Sequence, residues 1–537
     1  MAANIAGIVV LAVFYLLIFL VGMVAARKVK VKGQREGHID ASFVAGRDLN
    51  TVVGIFTMIA TTVGGGYING TAESIVSQGL VWTLAPLGIF FGLSIGGLVY
   101  ARRMRDEQYV TLLDPIQEQY GSFAVGLVYM ASLCGDIFWT ASILSALGTS
   151  LSVVINVDLT IAIWASSAVT VIYTTIGQIV AVAYTDVAQL VLITFGLTLS
   201  VPFVLTNERV GNIGANSTVW IGSIDKEFAG LWADLLIAMT FGTIPWQAYF
   251  QRVLSVKSGK QAQILSIVGA CGAVVLVIPS ILIGAAAVSA DWSGTKLEAS
   301  SMDSRTSSMI LPLVLHEFTP TAVAILGLGA LSAAVMSSMD SSILGSSTMF
   351  THNIYNNVIR KQASNWELLL VQRFTIVVLG LLSTVISLHV PIIYGLFILA
   401  ADIVFVIVLP QLTCSLFLKR TNGYGSVAGF LVGTLLRLGA GEFSFSFEPF
   451  IFYPFYDDKL GQLFPFRTFS MLCSCLTIMF VSELARYLFE GKVIPSGCDV
   501  LQAFKRAERY FVRTVSVTEE SKMHIEESEM KSYTNVS

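Results

Sequence analysis

Four aspartates stand inside long apolar runs of this 537-residue chain: Asp136, Asp186, Asp340 and Asp402. A carboxylate in such surroundings either takes a proton or attracts a cation, so an intramembrane acid is read as a functional group. No lysine or arginine falls near the middle of those runs, so all four are expected to lack basic partners. Two of them stand in polar stripes. Asp186 and Gln189 share a helix face at i, i+3. Ala334, Ser337, Ser338 and Ser341 follow i, i+3, i+4, i+7, with Asp340 beside them. Sodium, a hard cation, is held by several oxygens at close range, and a serine face opposite free carbonyls supplies them. For each acid the alternative stays open, a carboxylate satisfied by hydroxyls and backbone donors.

Free carbonyls require a broken helix, and two apolar segments carry one. The first is interrupted by Gly64-Gly65-Gly66, followed by Tyr67, Asn69 and Thr71; the other by Gly242-Thr243-Ile244-Pro245, followed by Trp246 and Gln247. Glycine weakens a helix interior and proline removes a backbone donor. In lipid, the freed groups must face protein, ligand or water. The breaks open two successive five-span segments, whose odd span number forces opposite orientations. Interrupted spans in matching places of inverted halves point to a substrate site near the membrane midplane. Glycines that merely permit close helix packing are the competing reading.

The surrounding chain is that of a membrane protein. Charged residues are 12%, against roughly 25% in soluble proteins; mean hydropathy is +0.75. Apolar runs give thirteen expected spans: 5–25, 49–77, 80–100, 121–151, 157–176, 179–205, 229–250, 262–290, 309–350, 367–388, 392–418, 423–440 and 466–489. The expected organisation is a symporter domain over 1–489, with one repeat at 49–205 and a second at 229–418. Spans 5–25, 423–440 and 466–489 are extra, and 490–537 is a polar cytoplasmic tail, partly disordered. The run 5–25 is a retained span, since its basic cluster follows it.

With the N-terminus outside, the inner loops hold 17 basic residues and the outer loops 7, which favours N-outside and C-inside. On that topology Asn216, in Asn216-Ser217-Thr218, is an outer sequon and the candidate glycosylation site. A net charge of −3 implies no nucleic-acid partner; the partners are the bilayer and a small solute, with oligomeric state left open. The six cysteines lack metal-ligand spacing. No nucleophile–base constellation appears, and Gly64–Gly66 lacks the Lys and Ser/Thr of a phosphate-binding loop. An enzyme is therefore not expected.

Together the stretches Gly64–Glu73, Ala183–Asp186, Ile244–Leu254, Ser332–Ser338, Asp340–Ser342 and Phe464–Arg467 resemble the sodium/solute symporter family, in its choline-transporting branch. The resemblance covers nearly the whole chain. It implies an all-α membrane fold with the leucine-transporter-type 5+5 inverted repeat. It implies one sodium held by the carbonyls of Ala60, Val63 and Ala334 and the hydroxyls of Ser337 and Ser338. A second sodium would involve Asp186, Asp340 and Ser341. It also implies chloride dependence, for which no site is legible, and a plasma-membrane, synaptic setting. The substrate expected is choline, held in an aromatic cage to which Trp139 and Trp246 belong, near Asp136. This chain departs from the cage in having Thr62 and Phe397 where the family has Trp, and Ile89 where it has Tyr. A symporter of another small solute, and a non-transporting sensor on the same fold, are the alternatives.

Overall fold

The computed structural model describes residues 43–293, 295, 304–390 and 392–504, with Leu16 and Leu20. The expected first span and nearly all of the tail lie outside the described residues. The described chain is helical, with only isolated β-bridges. The long elements are α1 Thr51–Thr62, α2 Gly65–Gln78, α3 Ala85–Ile95, α4 Ser122–Ile155, α5 Leu159–Leu205, α6 Ala229–Gly242 and α7 Gln247–Ser255. They continue with α8 Gly259–Ser289, α9 Thr321–Met349, α10 Asn365–His389, α11 Ile393–Ile403, α12 Leu409–Phe417, α13 Gly423–Gly439 and α14 Phe466–Glu490.

Among the described residues nine helices are long and apolar enough to cross a membrane, or ten when the bent pair α1/α2 counts as one. Leu159–Thr175 and α13 are shorter and occupy two further expected spans. The expected spans 157–176 and 179–205 answer to Leu159–Thr175 and Val182–Leu205, two arms of one helical stretch, α5. It is not straight, because the Tyr173 hydroxyl donates to Thr185 at 2.8 Å. Twelve residues of straight helix would separate these positions by about 18 Å, so the chain doubles back between them. The single span expected over 309–350 is divided. A short helix, Ile310–Phe318, stops before Thr319-Pro320, and Pro320, which has no amide to donate, precedes α9.

The axis of the bundle is α9. Every residue from Ala330 to Met349 is buried, and α9 packs against α4 and α5. A helix stretch buried all round is cut off from water, so the serines of α9 must find partners inside the bundle. By contrast α10 and α14 present Phe374, Trp366, Phe480 and Leu476 outward, 62–71% exposed. These are the faces for lipid.

At one end of the bundle Asp402 binds two arginines through Oδ2, Arg437 Nε at 2.7 Å and Arg467 Nε at 2.9 Å. Arg437 also meets Glu442 at 2.6 Å, Arg467 meets Asp234 at 3.5 Å, and the Phe466 ring lies under both guanidinium groups. Burial works to raise the Glu442 carboxyl, but the Arg437 guanidinium outweighs it and holds it below the usual carboxylate range. The expectation that Asp402 lacks a basic partner is thus overturned. Its partners come from α13 and α14, whose ends the sequence reading assigned to outer loops. Replacing Asp402 by Ala leaves two guanidinium groups buried with their central acceptor gone, a loss of about 3–5 kcal/mol. Thermal unfolding of the solubilised protein should register it; an unchanged midpoint would remove the network from the fold's supports.

Candidate functional site

The break between α1 and α2 bends the chain by 44°. Val63 leaves helical geometry at φ −85, ψ 64, and Gly64 is extended at φ −88, ψ 173. A helix that ends here leaves its last carbonyls without intrahelical donors. α9 supplies donors. Ser337 Oγ donates to the Ala60 carbonyl at 2.8 Å, and Ser338 Oγ to the Thr61 carbonyl at 2.9 Å. Ser337 also reaches the Ala334 carbonyl at 3.1 Å. Thus Ala60, Ala334, Ser337 and Ser338 come together, with buried Val63 at the joint. Gly64 is required by contact rather than by φ: a Cβ there would lie 2.6 Å from Ser338 Cβ and 3.8 Å from Trp139 Cζ2.

A second polar cluster adjoins the first. Thr61 Oγ1 stands 3.0 Å from Ser341 Oγ, which donates to the Ser337 carbonyl at 2.7 Å. Ser341 also accepts from Arg252, whose Nη2 lies 3.4 Å from Asp186 Oδ2; Thr57 donates to the same oxygen. Thr174 Oγ1 donates to Asp340 Oδ1 at 2.5 Å. Asp186 therefore has a basic partner, contrary to expectation. Arg252 was counted in an inner loop, yet all of α7 is buried and carries its guanidinium inward. Asp340 has no ion pair among the described residues, and Asp136 stands near Ser346 and Tyr129.

This chamber is incompletely satisfied. Asp186 Oδ1, Asp340 Oδ2, both amide atoms of Gln189 and Arg252 Nε are buried without hydrogen-bond partners. Leaving such atoms unsatisfied costs about 1–3 kcal/mol each, more when charged. Two carboxylates against one guanidinium leave a formal charge of −1 here, and the orphaned oxygens fit a hard cation.

Aromatic rings gather near the same break. Trp139 of α4, Trp246 before α7 and Phe397 of α11 form a triangle. Centroids are 4.5 Å apart for Trp139–Trp246, 4.6 Å for Trp139–Phe397 and 6.5 Å for Trp246–Phe397. A cation over one side of it can lie within about 6 Å of all three rings, the range of cation–π attraction. Thr62, half-buried, turns its hydroxyl back to the Met58 carbonyl at 2.8 Å. Ile89 is buried in the apolar core on α3. A cavity of about 540 Å³, lined by Glu107, Asp114, Gln117, Glu118 and His352 among others, touches none of these residues.

Three buried charged groups here or nearby escaped the sequence reading. Glu73 sits in a polar arm, where an acid is unremarkable. Asp234 lies near the start of α6, and Arg252 follows a polar run. Arg252 and Asp186 stand 66 residues apart in the chain and become partners only on folding, and no local pattern encodes that.

A bundle around a broken helix, with hydroxyls converging on its free carbonyls, is the architecture of a secondary transporter. Residues 42–433 match the family described as Sodium:solute symporter family, and the chain belongs to that family. Its members are transporters, not enzymes. The chain is 44% identical over 536 residues to high affinity choline transporter 1 of Homo sapiens, covering 97% of this chain and 92% of that protein. It is 45% identical over 514 residues to the Caenorhabditis elegans protein of that name, covering 93% and 88%. The sodium/proline symporter of Haemophilus influenzae is 25% identical over 427 residues, covering 73% and 81%. A solved structure of a Na+-coupled sialic acid symporter, substrate-bound and outward-open, shares the fold. Its TM-score is 0.72 at 18% identity, covering 90% of this chain and 98% of that one.

Gly64→Ala should displace Ser338 or reopen the break, because the new methyl meets the fixed Cβ of Ser338 rather than a flexible tip. Sodium-driven uptake per transporter at the cell surface should fall sharply. Full retention would show that the close approach of α2 to α9 is dispensable.

Proposed function

We propose that the protein is a sodium-coupled choline symporter of the plasma membrane working by alternating access. The observation that carries this reading is the meeting of Trp139, Trp246 and Phe397 against the α1/α2 break. A quaternary ammonium has no N–H to donate, so ring faces are its natural partners, each worth about 0.5–2 kcal/mol. The choline transporters among the relatives support the same substrate. Asp136, one helical turn before Trp139, adds negative potential on the same helix.

In this reading one sodium takes the carbonyls of Ala60, Val63 and Ala334 and the hydroxyls of Ser337 and Ser338. A second takes Asp186, Asp340 and Ser341. Sodium binds first, exchanging hydroxyl–carbonyl hydrogen bonds for ion–oxygen contacts and so ordering the break beside Trp139. Two inverted five-span repeats, opened by α1/α2 and α6/α7, then rock about the fixed site. The N-terminus lies outside and the C-terminus inside, Asn216 is glycosylated, and chloride accompanies transport. Inward movement of net positive charge gains about 2.3 kcal/mol per charge per 100 mV, so uptake is electrogenic.

Thr62 and Ile89 favour a second reading, a sodium symporter whose solute is a different small organic molecule. At the per-ring estimate, the thinner cage costs about 1–4 kcal/mol, or one to three decades of choline affinity.

Radiolabelled choline uptake, with sodium present and with sodium replaced, separates the readings. Saturable, sodium-dependent uptake is expected; surface-expressed protein with none would make the second reading the one to pursue. Ser337→Ala combined with Ser338→Ala should raise the sodium concentration for half-activation by roughly tenfold or more, since each lost hydroxyl is worth about 1 kcal/mol. An unaltered sodium curve would sink the ligand assignment.

A further inference from the structure

Glu73 is a buried carboxylate that neither the sodium clusters nor the aromatic triangle uses. It stands on α2, beyond the break, and is 3% exposed. Its Oε2 accepts the Tyr394 amide at 3.1 Å, and the Ile393 amide donates to the same carboxylate. These are the first amides of α11, so the carboxylate caps the positive end of that helix. Among the described side chains no cation is found facing it.

The same end of α11 is gripped from two further elements. Ser142 of α4 donates to the Ile393 carbonyl at 2.8 Å, and the Tyr394 hydroxyl accepts the Ala85 amide of α3 at 3.1 Å. Gly70, one turn before Glu73, lets α2 approach so closely that a Cβ there would lie 3.2 Å from the Tyr394 ring. One turn along α11 from these contacts stands Phe397, whose ring centroid is 6.2 Å from that of Tyr394.

We propose that Glu73 is a positioning residue. It ties the outer arm of the broken helix to the N-terminus of α11, so that ordering of the break by sodium sets the place of Phe397 in the aromatic triangle. This rests on the sodium-symport reading of the break but not on choline as the solute. α2 and α11 belong to different halves of the chain, and Glu73 is the charged bond between them. The groups it accepts from are the first amides of a helix, so the attraction persists only while α2 and α11 keep their relative placement.

The test uses the full chain in cells, with Phe397→Cys as reporter. Labelling by an aqueous thiol reagent, in excess of that of the parent chain, is timed with and without sodium. Sodium alone should change the rate when Glu73 is present. Glu73→Gln should shrink that sodium effect by roughly fivefold to thirtyfold, the range for a partly buried charge at a helix end. Glu73→Asp should restore part of it. A sodium effect of the same size in Glu73→Gln, or none with Glu73 intact, overturns the proposal. Should Glu73→Gln fail to reach the surface, Glu73→Asp carries the test alone, because its shorter reach must still reduce the effect. Where choline uptake is measurable, Glu73→Gln should raise choline KM by a similar factor at retained maximal rate per surface transporter. Absence of choline uptake in the unaltered chain would count against the choline reading while leaving the labelling outcome decisive for Glu73.

Discussion

Carbonyl oxygens that a helix has released inside an apolar core are the constraint around which this protein is arranged. Once Val63 and Gly64 leave helical geometry, the carbonyls of Ala60 and Thr61 need donors, and lipid offers none. The donors come from Ser337 and Ser338. α9 must therefore run through the middle of the bundle, and α4 and α5 must enclose it. The hydroxyls satisfy the carbonyls only weakly compared with a metal ion, which can take several oxygens at once. A site held by replaceable hydrogen bonds can exchange them for a cation without unfolding, which is what a transport cycle demands.

The charged chamber next to it follows from the same geometry. Hydrogen bonds join Ala60 to Ser337, Ser337 to Ser341, and Ser341 to Arg252, which pairs with Asp186. Both ion candidates therefore lie on one connected polar path. Arg252 changes the electrostatics there. Two bare carboxylates in a low-dielectric interior would be costly even with one cation between them. A resident guanidinium lowers that cost and leaves a residual charge that a single monovalent ion neutralises. Such pairs add little net stability, so their value here is specificity of arrangement: α7, α5 and α9 are held in one register.

How much of this was legible in the sequence depended on range. The glycine and proline breaks, the serine stripe of α9 and the buried aspartates all have local signatures, namely composition, i, i+3, i+4 spacing, and charge within an apolar run. They gave the position of the first break and the serine stripe itself, while the convergence of Ser337 and Ser338 on that break was implied by the family resemblance. Pairing across the chain has no such signature. Arg252 and Asp186, or Arg437 and Asp402, are read as separate residues until folding brings them together, so acids expected to stand alone proved to be paired. The two arms of α5, by contrast, were legible as separate apolar runs, 157–176 and 179–205, and the Tyr173–Thr185 contact brings them together. The resemblance to the symporter family reached further than local pattern, because a family motif records long-range pairing that one segment cannot.

Gly64 joins the ionic and aromatic sides of the site more tightly than any side chain does. A Cβ built on it would meet both Ser338 and Trp139. Any shift of the break that alters the oxygen cluster must also move the wall on which Trp139 rests. The oxygen cluster and the aromatic triangle therefore adjoin one backbone joint, and coupling between them needs no long pathway. The same economy limits how the solute pocket can change. Residues at the joint are held by the oxygen cluster, whereas Thr62 points its hydroxyl back into its own helix and Ile89 fills the apolar core, so a change at either leaves the hydrogen bonds of that cluster in place.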